Sequence, residues 1–274
     1  MAMRWTLSDI PWSEFDASKV DADILRIVKA ASMVEYNGAD YAAYLCNVFV
    51  GDLQFQEVAK AWADEEIQHG QALAEWARRA DPSFNFDACF KRFTDGYRIP
   101  VEAERSVRGS RSGELVARCI VEVGTSSYYS ALADTVREPV LRHICRRIAA
   151  DELRHYKLFY GHLKRYLVKE RIGRLRRILV AAGRIGESED DELAYAYYAA
   201  NADGEPYDRK TFGKAYLSRI FVCYRPDHMR RAVAMIFKAV GLKPNGLLAR
   251  WASTLSYWFV KRRAAALEGV SAVR

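Results

Sequence analysis

The sequence has few of the features that mark secreted, membrane-spanning or disulfide-bonded proteins. Its five cysteines are scattered through 274 residues, form no Cys-x-x-Cys pair and are odd in number, which argues against a disulfide framework. The first residues include Arg4 and Asp9 and contain no continuous apolar segment, so a secretory signal is not expected. The longest apolar-rich run, 247–260, contains Arg250 and is too short to span a bilayer. We therefore expect a soluble cytoplasmic protein.

Signals for β-strands, nucleotide cofactors and nucleic acids are also missing. Half of the residues are hydrophobic and they recur at helical spacing, so we predict an all-α protein. The sequence contains no Gly-x-Gly-x-x-Gly loop, flavin fingerprint or iron–sulfur cysteine cluster. No recognised nucleic-acid motif accompanies the net charge of +7, and nucleic acid is not expected as a partner. Because no stretch resembles a linker, residues 1–274 are predicted to form a single domain.

Two copies of an acid-Glu-x-x-His motif are the most informative feature that is present. One copy ends in Glu66 and His69, and the other ends in Glu152 and His155. Positions i and i+3 lie on one face of an α-helix, so a carboxylate and an imidazole at this spacing can bind one metal ion. A single copy on a polar helix face is commonly only a solvated side-chain pair, but the duplication favours two metal ions.

A lone glutamate precedes each motif at a matching distance. Glu35 lies 31 positions before Glu66, and Glu122 lies 30 positions before Glu152, with a turn signal near the middle of each interval. If each interval folds as an antiparallel helical hairpin, both of its members lie about 23 Å from the turn, at the same height. This is the di-iron or di-manganese carboxylate arrangement of a four-helix bundle. The predicted ligands are Glu35, Glu66, His69, Glu122, Glu152 and His155.

The predicted fold is a ferritin-like bundle over about residues 20–170, followed by a helical extension over about 171–274. The four bundle helices are predicted from Ser18 or Asp21 to Val50, from Leu53 to Arg79, from Glu114 to Val136 and from Pro139 to about Lys169. A short helical crossover is predicted within 84–97, as the long connection of ferritin-like bundles requires. Ser188 is predicted to cap the next helix. The last helix, 247–267, is predicted to pack on the bundle, with a membrane surface as the alternative.

Three short motifs around these ligands resemble the soluble acyl-(acyl carrier protein) desaturases of the ferritin-like di-iron superfamily. The stretch Trp62-Ala63-Asp64-Glu65-Glu66-Ile67-Gln68-His69-Gly70 is similar to that family's Trp-x-x-Glu-Glu-x-x-His-Gly. The stretch Ala150-Asp151-Glu152-Leu153-Arg154-His155 is similar to its Ala-Asp-Glu-x-Arg-His. Glu122-Val123-Gly124-Thr125 matches its Glu-x-x-Thr, in which the threonine lies beside the oxygen-binding face. The similarity covers roughly residues 30–165.

The resemblance implies an oxygen-dependent oxidoreductase with two iron ions, manganese being an alternative, and dioxygen as co-substrate. It implies desaturation or hydroxylation of a long apolar acyl chain held by an acyl carrier protein or another acyl carrier. The electrons would come from a ferredoxin-type donor, because the sequence has no redox motif of its own. The competing classes are another di-iron oxidase, such as an N-oxygenase or peroxidase on a small substrate, and a ferritin-like iron-binding protein.

Three further residues are candidates for supporting the metal site. Thr125 lies one turn after Glu122 and is predicted to relay protons, although a threonine can instead bond back to the helix carbonyl four residues earlier. Glu65 and Asp151 precede ligand glutamates and are predicted to accept the second N–H of the ligand histidines, Asp151 from His69 and Glu65 from His155. Solvated helix acids would be the alternative. Small residues nearby would leave room for a ligand or allow close helix packing: Gly38, Ala39, Ala42, Gly124 and Ser126.

The basic charge is concentrated in 164–184 and in Lys261-Arg262-Arg263. Such segments attract acidic proteins and anionic membranes, unless they are simply solvated helix faces. We predict that Arg171, Arg174 and Arg177 bind the acidic carrier protein. A homodimer and a peripheral membrane contact through the basic C-terminal helices are also left open.

Overall fold

The computed structural model describes residues 5–187, 191–202 and 204–271, and within these ranges the chain forms α-helices and short 3-10 turns but no β-strand. The all-α prediction is therefore confirmed, whereas the four-helix bundle stays a prediction. The helices are α1 Ala22–Tyr36, α2 Gly38–Val48, α3 Leu53–Ala80, α4 Phe86–Gly96, α5 Arg111–Thr135, α6 Pro139–Glu170, α7 Arg174–Gly186, α8 Asp191–Asn201, α9 Arg209–Phe221, α10 Pro226–Val240 and α11 Leu247–Ser271. The predicted cap Ser188 lies outside the described residues. No helix within them combines the length and apolar character needed to cross a membrane.

The chain divides into two compact units. Unit 1 comprises Met1–Ala103, Thr135–Ile144 and Glu189–Ile220, and unit 2 comprises Glu104–Asp134, Cys145–Ser188 and Phe221–Arg274. The single-domain assignment stays a prediction.

In unit 1, helix α1 packs against both α3 and α8. The Asp21 side chain accepts hydrogen bonds from the Asp23 and Ile24 backbone N–H groups and so caps the start of α1. Asp52 caps α3 in the same way through the Phe55 N–H, and α3 stops before Asp81, as the sequence predicts. These two caps fix where the two helices begin.

The prediction of a single helix from Ser18 or Asp21 to Val50 is wrong in one respect, because the helix is interrupted at Asn37. Helix α1 ends at Tyr36 and α2 begins at Gly38. Gly38 lies so close to α3 that a Cβ there would stand 2.8 Å from the Glu66 Cβ. The apolar pattern continues across the break, so periodicity alone does not show it.

In unit 2, helices α5 and α6 are joined by polar contacts, and α10 packs against α7 and α11. The Ser126 hydroxyl donates to the Ala149 carbonyl at 3.0 Å. The Glu170 carboxylate accepts from the Ser112 N–H at 2.7 Å, which stabilises the positive end of α5. Arg171 has φ 54°, the left-handed conformation that commonly ends a helix, and it separates α6 from α7.

Candidate metal centre

In unit 1, α1 and α3 bring Glu35, Glu66 and His69 together into the first carboxylate–histidine group. The His69 Nδ1 atom lies 3.6 Å from Glu35 Oε2 and 3.9 Å from Glu66 Oε2. All three residues are buried, and His69 is fully so. One ligand atom from each lies within 4.8 Å of the others. These separations are too long for hydrogen bonds but suit donor atoms arranged around one ion at metal–ligand distances of about 2.0–2.2 Å.

In unit 2, α5 and α6 bring together Glu122, Glu152 and His155, the second carboxylate–histidine group, with almost the same geometry. The His155 Nδ1 atom lies 3.5 Å from Glu122 Oε2 and 3.9 Å from Glu152 Oε2. Both glutamates are 1% exposed and the histidine is fully buried. The ligand atoms again lie within 4.8 Å of one another. Because both groups are buried, the alternative of solvated side-chain pairs is wrong for each motif.

Close helix packing sets the position of the first group. Gly70 follows His69, and a Cβ on it would stand 2.5 Å from the Tyr36 backbone nitrogen and 2.7 Å from the Ser32 carbonyl oxygen. Contacts this short are possible only for glycine, so α1 and α3 approach each other directly beside the ligands. Of the two roles considered for the small residues, Gly38 therefore serves close packing, and Gly70 does the same. Gly124 is different, because it is exposed and a Cβ there would meet no atom within 4 Å.

The environment of Glu122 suits a bound cation. Burial, and secondly the nearby Glu152 carboxylate, raise the pKa of Glu122 from 4.5 to about 8, against the opposing effect of His155. Burying an ionised carboxylate is costly, and metal coordination offsets that cost. The donor set of carboxylates with one imidazole per group fits iron or manganese. Each group can therefore hold a metal ion.

Thr125 contacts the second group directly. Its hydroxyl lies 2.6 Å from Glu152 Oε2, and 3.2 Å from the Val121 carbonyl four residues earlier. A hydroxyl donates only one hydrogen. The Glu152 carboxylate is both nearer and a stronger acceptor than the helix carbonyl, so the hydrogen bond to Glu152 is favoured. Thr125 is half-buried. Thr125 therefore lies between the buried Glu152 carboxylate and the solvent-exposed side of α5.

The two predicted supporting acids are both buried. Glu65 on α3 is 2% exposed, and Asp151 on α6 is 4% exposed. Asp151 accepts from Arg154 one turn later, with Nε to Oδ1 at 3.2 Å. The alternative that they are solvated helix acids is therefore wrong. Their crosswise pairing with the ligand histidines stays a prediction.

Sequence reasoning missed Trp5 entirely. Its indole ring stacks on the His69 imidazole, with ring centres 6.0 Å apart and an angle of 9° between the planes. The side chain is 3% exposed, so it covers one side of the first group. Trp5 lies well before the first α-helix and belongs to no periodic pattern, so the sequence carries no signal of this contact.

The basic residues proposed for partner binding have two kinds of environment. Arg171 and Arg174 are exposed. Arg177 is half-buried, and its guanidinium packs against Gly241 and reaches the Ala239 carbonyl at 3.5 Å. Burial also lowers the pKa of Arg177. Arg177 is thus part of the contact between α7 and α10, and Arg171 and Arg174 are the better candidates for a partner surface.

A polar surface cleft of about 540 Å³ in unit 2 contains none of the six predicted ligands. It includes the buried His228, whose Nε2 lies 3.0 Å from Asp134 Oδ2.

Comparisons with known proteins do not assign the chain to a family. No protein-family model matches the sequence, and no curated protein is significantly similar to it. The functional argument therefore depends on the residues and their geometry.

Proposed function

We propose that the two carboxylate–histidine groups form one dinuclear metal centre within a four-helix bundle, and that the protein is an oxygen-dependent oxidoreductase. The observation that carries the proposal is the duplication itself. Two separate helix pairs each bury a Glu and a Glu-x-x-His, with distances of 3.6 and 3.9 Å in one and 3.5 and 3.9 Å in the other. A Glu from each of two helices plus a Glu-x-x-His from each of two others is the ligand set of the di-iron carboxylate bundles.

The proposed metal is iron, with manganese as the alternative. When bound, a pair of ferrous ions supplies the electrons and open coordination positions needed to react with dioxygen. The chain's own contribution is a set of fixed ligands, kept from water by burial. Thr125 can hold or pass a proton at Glu152 Oε2, because its hydroxyl lies 2.6 Å from that atom and the residue is only half-buried.

The proposed reaction is desaturation or hydroxylation of a long apolar acyl chain on an acyl carrier. This step depends on the resemblance of the ligand motifs and of Glu122-x-x-Thr125 to the acyl carrier protein desaturases. A separate ferredoxin-type protein is the proposed electron donor, since the sequence contains no iron–sulfur cysteine cluster, flavin fingerprint or nucleotide-binding loop to supply electrons itself.

Metal analysis of purified variants tests the centre. The wild-type chain is expected to bind two iron or manganese ions, and Glu66→Ala combined with Glu152→Ala is expected to bind none, because each substitution removes a carboxylate from a buried group. Glu57→Ala is the matched control, since Glu57 is an exposed glutamate on the same helix α3 and should leave the metal content unchanged. Retention of both metals by the double variant, with its helical circular dichroism intact, would reject the dinuclear centre.

The reaction class is tested separately on the metal-loaded protein. After reduction it is expected to consume dioxygen faster when an acyl chain bound to acyl carrier protein is present, and to yield a desaturated or hydroxylated chain detectable by mass spectrometry. Oxygen uptake that responds only to small amines or peroxide would reassign the chemistry without affecting the metal centre.

A further inference from the structure

Helix α11 turns its large apolar side chains toward solvent. Six of them are between 51% and 72% exposed, namely Leu247, Leu248, Trp251, Leu255, Trp258 and Phe259. At about 100° per residue, they fall within an arc of roughly 120° on one side of the helix. We call these six residues the α11 stripe. Single exposed apolar residues are ordinary on a protein surface, but a contiguous apolar stripe marks a site of interaction with a protein, a membrane or a ligand.

The opposite face of α11 consists mainly of small side chains, and this face is the one turned inward. Ala249 and Ala264 are buried, and Ser253 and Ser256 are half-buried. Helix α11 packs against α10 in unit 2. A helix that only completes a protein core would bury its tryptophans and leucines and expose its alanines and serines. The arrangement in α11 is the reverse, which indicates that the stripe contacts an apolar surface other than the core of the protein.

Basic residues border the stripe. The described side chains of α11, residues 247–266, include four basic residues and no acid: Arg250, Lys261, Arg262 and Arg263. Arg262 lies over the Trp258 ring at 5.2 Å, at the end of the stripe. Helix α7, in the same unit, repeats the pattern on a smaller scale, since it exposes Leu175 and Leu179, carries four arginines and contains no acid.

We propose that the α11 stripe docks on an anionic membrane surface. Tryptophan concentrates at membrane interfaces, and a helix with an apolar face and basic flanks lies in the plane of the headgroups without crossing the bilayer. A second copy of the chain is the weaker occupant, because two α11 helices face to face would bring their basic side chains together, with no acid among residues 247–266 to neutralise them. The proposal does not depend on the metal centre, so each can fail without the other.

Vesicle flotation provides the test, with vesicles of phosphatidylglycerol mixed into phosphatidylcholine compared with phosphatidylcholine alone. The wild-type protein is expected to float with the anionic vesicles, and Trp251→Ser with Trp258→Ser should weaken this binding by about tenfold or more, because two interfacial anchors are lost. Leu53→Ser, at an apolar side chain of similar exposure on α3, should leave binding unchanged. Binding of the wild type to neither kind of vesicle would overturn the proposal.

Charge reversal measures the electrostatic contribution to vesicle binding separately from the apolar one. Arg250→Glu with Lys261→Glu should weaken binding to the anionic vesicles by about tenfold or more, since each basic residue near an anionic surface contributes on the order of 1 kcal/mol, a factor of about five. Lys210→Glu with Lys214→Glu on α9 is the control of equal charge. Light scattering of the same variants addresses the second-copy alternative. A wild-type dimer that the tryptophan substitutions dissociate, without vesicle binding by either form, would contradict membrane docking.

Discussion

The Glu122 carboxyl shows how burial prepares a residue for a metal and makes the metal-free protein sensitive to pH. Its pKa is raised from 4.5 to about 8 in the folded chain, first by burial and then by the neighbouring Glu152. Between these two pH values the folded state keeps a proton that the unfolded state has lost. The free energy of unfolding of the metal-free protein should therefore fall as pH rises from 4.5 to about 8, on the order of 1.4 kcal/mol per pH unit from this group.

Urea unfolding of the metal-free protein at a series of pH values measures this slope. Glu122→Gln keeps the shape of the side chain but cannot ionise, so its stability should change less over the same range. A metal ion must displace the proton from Glu122, so the metal affinity of the wild type should rise with pH. Metal binding should also release protons, which a weakly buffered titration would detect. Equal slopes for wild type and Glu122→Gln would assign the pH dependence to other groups.

Thr125 allows the proton-relay role to be separated from a purely structural one. Thr125→Val removes the hydroxyl that lies 2.6 Å from Glu152 Oε2 and keeps the side-chain volume, whereas Thr125→Ser keeps the hydroxyl. Loss of a charge-assisted hydrogen bond at a half-buried site should lower the free energy of unfolding by about 1–2 kcal/mol in Thr125→Val only. Metal content should persist in both variants. We expect oxygen-dependent turnover to fall at least about tenfold in Thr125→Val with an altered pH profile, and an unchanged profile would leave Thr125 with a structural role.

At the scale of elements, the ligand distance in unit 1 depends on how closely α1 approaches α3. Gly70→Ala would place a Cβ 2.5 Å from the Tyr36 nitrogen, which is backbone and cannot rotate away. Helix α1 must then shift and carry Glu35 away from His69. We expect loss of metal at the first group and a destabilisation of about 1–3 kcal/mol by denaturant unfolding.

Gly124→Ala is the matched control for the helix-packing prediction. Gly124 also lies inside a helix, two residues from a ligand, but an added Cβ meets no atom within 4 Å. Alanine at an exposed helical position should keep both metals and stabilise the protein by up to about 1 kcal/mol. If Gly70→Ala behaved like Gly124→Ala, helix proximity would not be what positions the ligands.

The same contrast explains how much the sequence could predict. The Glu-x-x-His pairs are local, because i and i+3 share a helix face whatever the rest of the chain does, and the caps Asp21 and Asp52 are local too. The interruption at Asn37 lies beside the close approach of α3 at Gly38, a contact between helices that periodicity does not show. The sequence also does not show which face of α11 is buried, because a helix rich in apolar residues gives no sign of which of them will pack against a neighbouring helix.

At the scale of the whole molecule, the net charge of +7 is unevenly placed. Helix α7 has arginines but no acids, and the loop before it exposes Arg171. A basic surface of this kind speeds association with an acidic protein through long-range attraction. The proposed acyl carrier protein is an acidic partner, and α7 follows directly from the helix that carries Glu152 and His155.

The carrier-binding prediction therefore uses Arg171→Glu with Arg174→Glu and leaves the half-buried Arg177 intact. The variant should bind acyl carrier protein at least about tenfold more weakly than the wild type at low salt, since two attractive charges become repulsive. The difference should shrink at high salt, where the Debye length falls from about 10 Å at 0.1 M to about 3 Å at 1 M. Calorimetric titration with metal content measured in parallel provides the comparison, and Lys210→Glu with Lys214→Glu on α9 controls for net charge. Equal, salt-independent affinity of variant and wild type would reject this docking site, while loss of anionic-vesicle binding alone would assign Arg171 and Arg174 to the membrane surface.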